Sequence, residues 1–92
     1  MKLVVTAAAR RDLAEAFHFA AEHNPDAAAA QQARIRTAAD RLTRFPALGA
    51  PLPDGRRRFH VPGTEFRLIY RQRDDSIVIL RVWHAARQWP PA

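Results

Sequence analysis

The chain contains no cysteine, so disulfides and thiolate metal sites are excluded as staples. No apolar run approaches the roughly 18 residues that a membrane span needs, and Arg10 and Arg11 break up the sequence after the short Met1 to Val5 stretch, so no signal peptide is read. The expectation is a cytoplasmic protein without a membrane anchor. Glycine is scarce, and its three occurrences fall at two places: Gly49 and Gly55 in a proline-rich stretch, and Gly63 after Pro62. Tyrosine and methionine occur once each, as Tyr70 and Met1. His18, His23, His60 and His84 show no ligand spacing with carboxylates, so no metal and no cofactor are implied. Lysine too is almost missing, since fourteen of the fifteen cationic side chains are arginine.

What is present is a hydrophobic fraction of 48% in 92 residues, enough for one small core and one domain, 1–92. The formal net charge is +6, unevenly placed. Residues 1–55 hold seven basic and six acidic side chains, whereas 56–92 hold eight and three, so +5 of the +6 belongs to the C-terminal part. Such asymmetry points to an anionic partner, nucleic acid or an acidic protein segment. Arginine suits bidentate contact with phosphate or carboxylate.

Two runs in that basic part, Phe66 to Tyr70 and Ile77 to His84, are rich in β-branched and aromatic residues and read as an antiparallel hairpin. A three-residue loop at Arg73, Asp74 and Asp75 would set Phe66, Leu68 and Tyr70 with Val78, Leu80 and Val82 on one apolar face. Arg67, Arg71 and Arg81 would then share the other face with Ile69, Ile79 and Trp83. A two-residue loop would flip one strand and push Arg81 into the core, a costly place for a charge. The odd loop is therefore expected.

Upstream, Lys2 to Val5 reads as a strand and Thr6 as the N-cap of a helix running to about Glu22. Leu13, Phe17 and Ala20 line its inward side, with Arg10, Asp12 and Glu15 left for solvent. Asn24-Pro25 caps and opens a second helix that extends to about Arg44. Its inward stripe is Ala28, Gln31, Ile35, Ala38, Leu42 and Phe45. The segment 46–55, with three prolines and two glycines, is a loop, and Arg56 to Val61 is a strand turned by Pro62-Gly63 into the hairpin. The order is β-α-α-β-β-β, an α+β fold in which a helical hairpin packs on a small, mainly antiparallel sheet.

Several signposts coincide along this order. Thr6-Ala-x-Ala-x-x-Asp12-Leu13 is followed by Asn24-Pro25, by Arg41-Leu42-x-x-Phe45-Pro46-x-x-Gly49, by Phe66 to Tyr70, and by Ile79-Leu80-Arg81-Val82-x-His84-x-x-Arg87. The set resembles the toxin subunit of the RelE/ParE superfamily of bacterial type II toxin-antitoxin systems, and the likeness covers nearly the whole chain. It implies a cognate antitoxin with an acidic amphipathic C-terminal segment, and a toxin-antitoxin hetero-oligomer. RelE-like members cut messenger RNA on the ribosome, whereas ParE-like members are not nucleases and poison DNA gyrase. The arginines of the RelE branch fall by order on Arg58, Arg67 and Arg87, but its terminal tyrosine has no counterpart. The Phe45-Pro46-x-x-Gly49 turn, the Pro25-led helix and the ending with His84 and Arg87 look more like ParE.

Chemistry leans the same way. Cutting RNA through its own 2′-OH needs a base, cations for the phosphate, and an acid for the leaving oxygen. Arginine supplies only the cations, because it stays protonated. His60 and His84 are the titratable groups near the basic region; in a nuclease His84 would join Arg58, Arg67 and Arg87, and otherwise it is a structural residue with a backbone partner. The residues expected to meet a target or partner are Arg57, Arg58, Arg67, Arg81, Trp83, Arg87 and Trp89. The plainer alternatives are a solvated edge for Arg56 to Arg58, ion pairs elsewhere for Arg67 and Arg81, and ordinary packing for Trp83 and Trp89. Three functions are compatible with these residues: a gyrase-poisoning toxin, a ribosome-dependent endoribonuclease, and an inactive protein-binding module.

Overall fold

Both helices begin on side-chain caps. In the computed structural model, which describes residues 1–86, β1 (Lys2–Val5) leads into α1 (Ala7–Ala21), whose first turn is closed by Thr6 Oγ1 accepting from the Ala9 amide at 3.1 Å. Asn24 does the same for α2 (Pro25–Arg44) by accepting from Ala27, and Pro25 occupies the first helical position, where no amide hydrogen is needed. The remaining strands are β2 (Ala50–Pro51), β3 (Arg57–His60), β4 (Phe66–Arg73) and β5 (Ser76–His84). They form one sheet in the order β1-β5-β4-β3-β2. β1 lies parallel to β5, and the other neighbours are antiparallel. The expected order stands, with a two-residue β2 added inside the segment read as loop.

The helical hairpin covers one sheet face. Ala9, Ile35, Ala38, Ala39 and Leu42 meet Val61, Leu68, Tyr70, Ile77, Ile79 and Val82, with Leu3, Val5, Leu13, Phe59 and Phe66 packed around them. Burying a side chain such as Leu68 completely contributes about 1.5 to 3 kcal/mol. Two members of the expected stripes stay outside. Phe17 is 37% and Phe45 56% exposed: Ala9 and Leu13 are the α1 residues packed in the core, and Phe45 sits past the end of α2 as its C-cap.

The hairpin turn corrects the expected register. Arg73 pairs with Ser76, so the loop has two residues, Asp74 and Asp75, with Asp74 at φ 54°. Tyr70 then pairs with Ile79, and Ile77 and Ile79 face the helices in place of Val78 and Leu80. A β-bulge comes next: Ile69 faces Arg81, leaving Leu80 as the extra residue. Beyond it Leu68 meets Val82 and Phe66 meets His84. An even loop plus one bulged residue restores the parity of an odd loop, so Arg81 escapes the core. The bulge is held from the side by Thr6, whose hydroxyl donates to the Leu80 carbonyl at 2.9 Å while its backbone amide donates to Ile79.

Tyr70 closes the far end. Its buried hydroxyl accepts from the Gly49 amide at 2.9 Å and donates to the Pro46 carbonyl at 2.7 Å, pinning the loop after α2. Burial raises its pKa above the ordinary tyrosine value. Gly49 has no room for a side chain, since a Cβ there would lie 2.7 Å from that hydroxyl and 2.9 Å from the Arg58 carbonyl. Among the described residues no helix is long and apolar enough to cross a membrane.

Candidate functional site

The sheet face turned away from the helices gathers cations. Cross-strand register sets Arg58, Ile69 and Arg81 in one row and His60, Arg67 and Trp83 in the next, with Arg71 following Ile69 along β4. Arg58 and Arg67 are thus diagonal neighbours, roughly 7 to 8 Å apart at that geometry. Both are half-buried, and among the described residues neither has a carboxylate partner. Ile69 and Trp83 are buried between them at 0% and 6% exposure, giving the face an apolar floor under its arginines. Arg56 and Arg71 lean on Asp54, 2.8 and 3.9 Å away, and the bond from Arg56 holds the Asp54 carboxyl below its ordinary value.

Arg81 has a different task. Its guanidinium grips Asp12 of α1 with two bonds of 2.8 and 3.0 Å and lies 5.1 Å from the centroid of the Trp83 ring. The same Asp12 carboxylate accepts from the Val82 amide at 3.0 Å, on the edge of β5 that β1 has vacated. Asp12, expected in solvent, keeps only 10% of its side chain exposed. Its bond to Arg81 raises the guanidinium's pKa further. Asp12 therefore fastens α1 to the sheet and uses up one cation of the basic face. Arg57 points to the opposite side, where it donates to the Gly49 carbonyl at 2.8 Å and steadies the same loop as Tyr70.

The histidines separate. His84 lies on the helix side of the sheet, paired with Phe66 and away from Arg58 and Arg67, so the expected nuclease grouping is not assembled. Its Nδ1 accepts from the Ala86 amide at 3.0 Å, which leaves the hydrogen on Nε2, facing Glu65 at 3.2 Å. The Phe66 ring meets it edge-on at 5.1 Å. His60 is the histidine on the basic face. Its Nε2 donates to the Thr64 carbonyl at 2.7 Å, fixing the tautomer and leaving Nδ1 as an acceptor beside Arg67. The single tyrosine, locked by Gly49 and Pro46, is out of reach of either face. Arg87 and Trp89, also expected at a target surface, lie outside the described residues.

A second feature was not expected from the sequence. A groove of about 800 Å³ runs between α1, α2 and the end of β5, lined by apolar side chains that include Phe19, Phe66 and Val82. Phe19 is 72% exposed, the most open of the large hydrophobic residues among those described. Only a second, outward-facing apolar line on α1 hinted at it in the sequence.

Helical hairpin, mixed sheet and basic outer face together define a small toxin fold of the toxin-antitoxin kind. A solved structure titled as the chromosomal ParDE toxin-antitoxin system of Pseudomonas aeruginosa superposes with a TM-score of 0.80 at 24% identity, covering 91% of this chain and 95% of that one. A chain of the RelBE2 toxin-antitoxin complex of Mycobacterium tuberculosis superposes with a TM-score of 0.61 at 33% identity, covering 94% and 92%. A Sinorhizobium fredii protein described as a candidate toxin, Y4kP, is 39% identical over 89 residues, which is 92% of this chain and 88% of the relative. The family model for the ParE toxin of the type II toxin-antitoxin system parDE matches residues 3–89. The chain belongs to the ParE toxin family, within the RelE/ParE superfamily.

Proposed function

We propose that this toxin acts by poisoning DNA gyrase, through contacts made by the basic sheet face, and that a cognate antitoxin neutralises it. The observation that carries the reading is that, among the described residues, this face holds cations without a complete acid-base pair. Arg58 and Arg67 can bind phosphate or carboxylate oxygens, but neither moves a proton at neutral pH. Tyr70 is engaged on the loop, and both ring nitrogens of His84 are engaged on the other side of the sheet. Such a surface suits holding an anionic or acidic target better than cutting one. Membership of the ParE family supports the same choice.

The competing reading is ribosome-dependent cleavage of messenger RNA, and one observation favours it. His60, oriented by Thr64, offers Nδ1 beside Arg67 and could take the proton from a 2′-OH. It has no evident acid opposite it among the described residues. The antitoxin is expected to be small and acidic, to fold as it wraps, and to cover apolar surface of the helical hairpin and sheet. Its toxin complex would be recovered by pull-down from the native host; a chain that returns no small partner is not a neutralised toxin. The two targets are separated by the lesion on expression. An SOS response with filamentous cells is the expected result, and immediate translation arrest with cleaved messages would transfer the assignment to the nuclease.

A further inference from the structure

A smaller pocket lies further along α2, between its C-terminal half and the turn that joins β3 to β4. Its volume is about 290 Å³, at the lower end for pockets that hold small molecules, so it has room for one ring system with its attached group and not for a chain of them. Helical period builds one wall. Arg34, Thr37 and Arg41 stand three and four residues apart, which sets them in one row on α2, and the buried Ala38 backs them. Strand alternation supplies the other wall: Phe59 pairs with Leu68 and packs against the core on the helix side, while Arg58 and His60 turn to the outer face. The sheet therefore separates this pocket from the Arg58 and Arg67 surface.

Its charge is of one sign. Two guanidiniums and a hydroxyl line it with no carboxylate, and the acids of α2 itself, Asp26 and Asp40, are not among the lining residues. Among the described residues the side chains of Arg34, Thr37 and Arg41 have no ion pair and no hydrogen bond. Arg34 is nevertheless placed. Its guanidinium fills the open side of Gly63, at φ 77°, where a Cβ would strike it, and Pro62 lines the pocket beside it. A cation without a counter-ion is thus laid over the turn at the mouth of an apolar cavity.

Two arginines and a hydroxyl offer forked and single donors to the several oxygens of a phosphate. Phe59, Pro62 and Ala38 offer apolar surface to a flat ring. We infer that this pocket binds a nucleotide, its phosphate held by Arg34, Thr37 and Arg41 and its base laid on Phe59 and Pro62. The same chemistry arrives either as a free nucleotide or as an unpaired nucleotide of a single strand. A duplex does not qualify, because its phosphates can meet the arginines but its bases, stacked inside, cannot reach Phe59. The site stands apart from the proposed target face and holds whichever target that face serves.

The test is an amide NMR titration of the isotope-labelled full chain with AMP, inorganic phosphate, a single-stranded DNA dodecamer, and that dodecamer annealed to its complement. AMP should shift Ala33, Thr37, Phe59 and Gly63, leave Ile69 and Trp83 in place, and bind about tenfold more tightly than phosphate, the share of a base stacked on an aromatic ring. Arg34→Ala and Arg41→Ala, at exposed positions, should melt as the parent does and each weaken AMP about ten- to a hundredfold, as loss of a charge-assisted contact does. Phe59→Leu should keep phosphate binding and remove the advantage of AMP; should it melt below the titration temperature, the ratio in the parent protein decides alone. The tighter of AMP and the single strand names the source, and either supports the site. Absence of pocket shifts with both, shifts confined to the outer face, or AMP binding undiminished in both arginine variants overturns the proposal. So does phosphate bound as tightly as AMP, which leaves a bare anion site, or a duplex bound as tightly as its single strand, which leaves a patch for phosphate backbone.

Discussion

Replacing Asp12 by alanine removes the one carboxylate that joins α1 to β5, and its cost can be built from the groups left behind. Three hydrogen bonds disappear, two from the Arg81 guanidinium and one from the Val82 amide. Arg81 keeps 32% of its side chain exposed and can recover water, so its share is discounted for solvent screening. The Val82 amide is less fortunate, because an unpaired donor on a buried residue costs about 1 to 3 kcal/mol. Adding a reduced charge-assisted contribution brings the loss to roughly 2 to 4 kcal/mol. For a chain of this size each kcal/mol lowers Tm by about 4 to 8 °C, so the melting point should fall by roughly 8 to 32 °C. Arg81→Ala should cost somewhat less, about 1.5 to 3 kcal/mol, since the Asp12 carboxylate, only 10% exposed, loses its cation but keeps the Val82 amide. Asp12→Asn should fall between, keeping one acceptor and losing the charge. Urea unfolding followed by circular dichroism measures all three, and the double variant gives the coupling. If Asp12→Ala stayed within about 0.5 kcal/mol of the parent, the scale of an inconsequential surface change, the anchoring role assigned to Asp12 would be wrong.

Tyr70→Phe strands the Gly49 amide and the Pro46 carbonyl and should cost about 1 to 3 kcal/mol at neutral pH. Because burial raises the Tyr70 pKa, its neutral form stabilises the fold below the ordinary tyrosine value, and that stability is lost as pH rises through the folded value; the phenylalanine variant should show a weaker alkaline decline in urea titrations. Arg58→Ala and Arg67→Ala should melt within about 1 kcal/mol of the parent, since both are half-buried and neither has a carboxylate partner among the described residues to strand. Each should weaken growth inhibition by about ten- to a hundredfold, the equivalent of one charge-assisted contact at roughly 1.5 to 3 kcal/mol. Leu68→Ala, at a fully buried position, is the contrasting control and should cost about 2 to 5 kcal/mol of stability first. Arginine variants that melt normally and remain fully toxic would move target binding off the sheet face.

Features that depend on a few neighbouring residues were legible in the sequence. Thr6 and Asn24-Pro25 cap their helices as local chemistry demands, α2 ends where Phe45-Pro46 forbids continuation, and Tyr70 lies on the core face. The register of the hairpin was only half legible, because a bulge at Leu80 has the same effect on parity as an extra loop residue and leaves no mark in an alternating pattern. Asp12 was misplaced for a related reason. Its position is polar by helical period, and only the departure of β1 at Val5 exposes the Val82 amide that the carboxylate satisfies. The basic face is legible in Arg67 and Arg71 by strand alternation, whereas the placement of Arg58 and of His60 rather than His84 beside them comes from pairing across three strands. No reading along a single strand contains that.

Whether the basic sheet face holds a target without cutting it is decided by setting the two activities side by side with one purified preparation. Added to gyrase, ATP and supercoiled plasmid, the protein should yield linear, protein-linked DNA, and Arg67→Ala should yield less. Added to ribosomes programmed with a defined message, it should leave that message intact. Clean cleavage within the decoding-site codon, reduced in His60→Ala or Arg67→Ala and unaccompanied by DNA breakage, would contradict the gyrase assignment and make His60 the base of a ribonuclease.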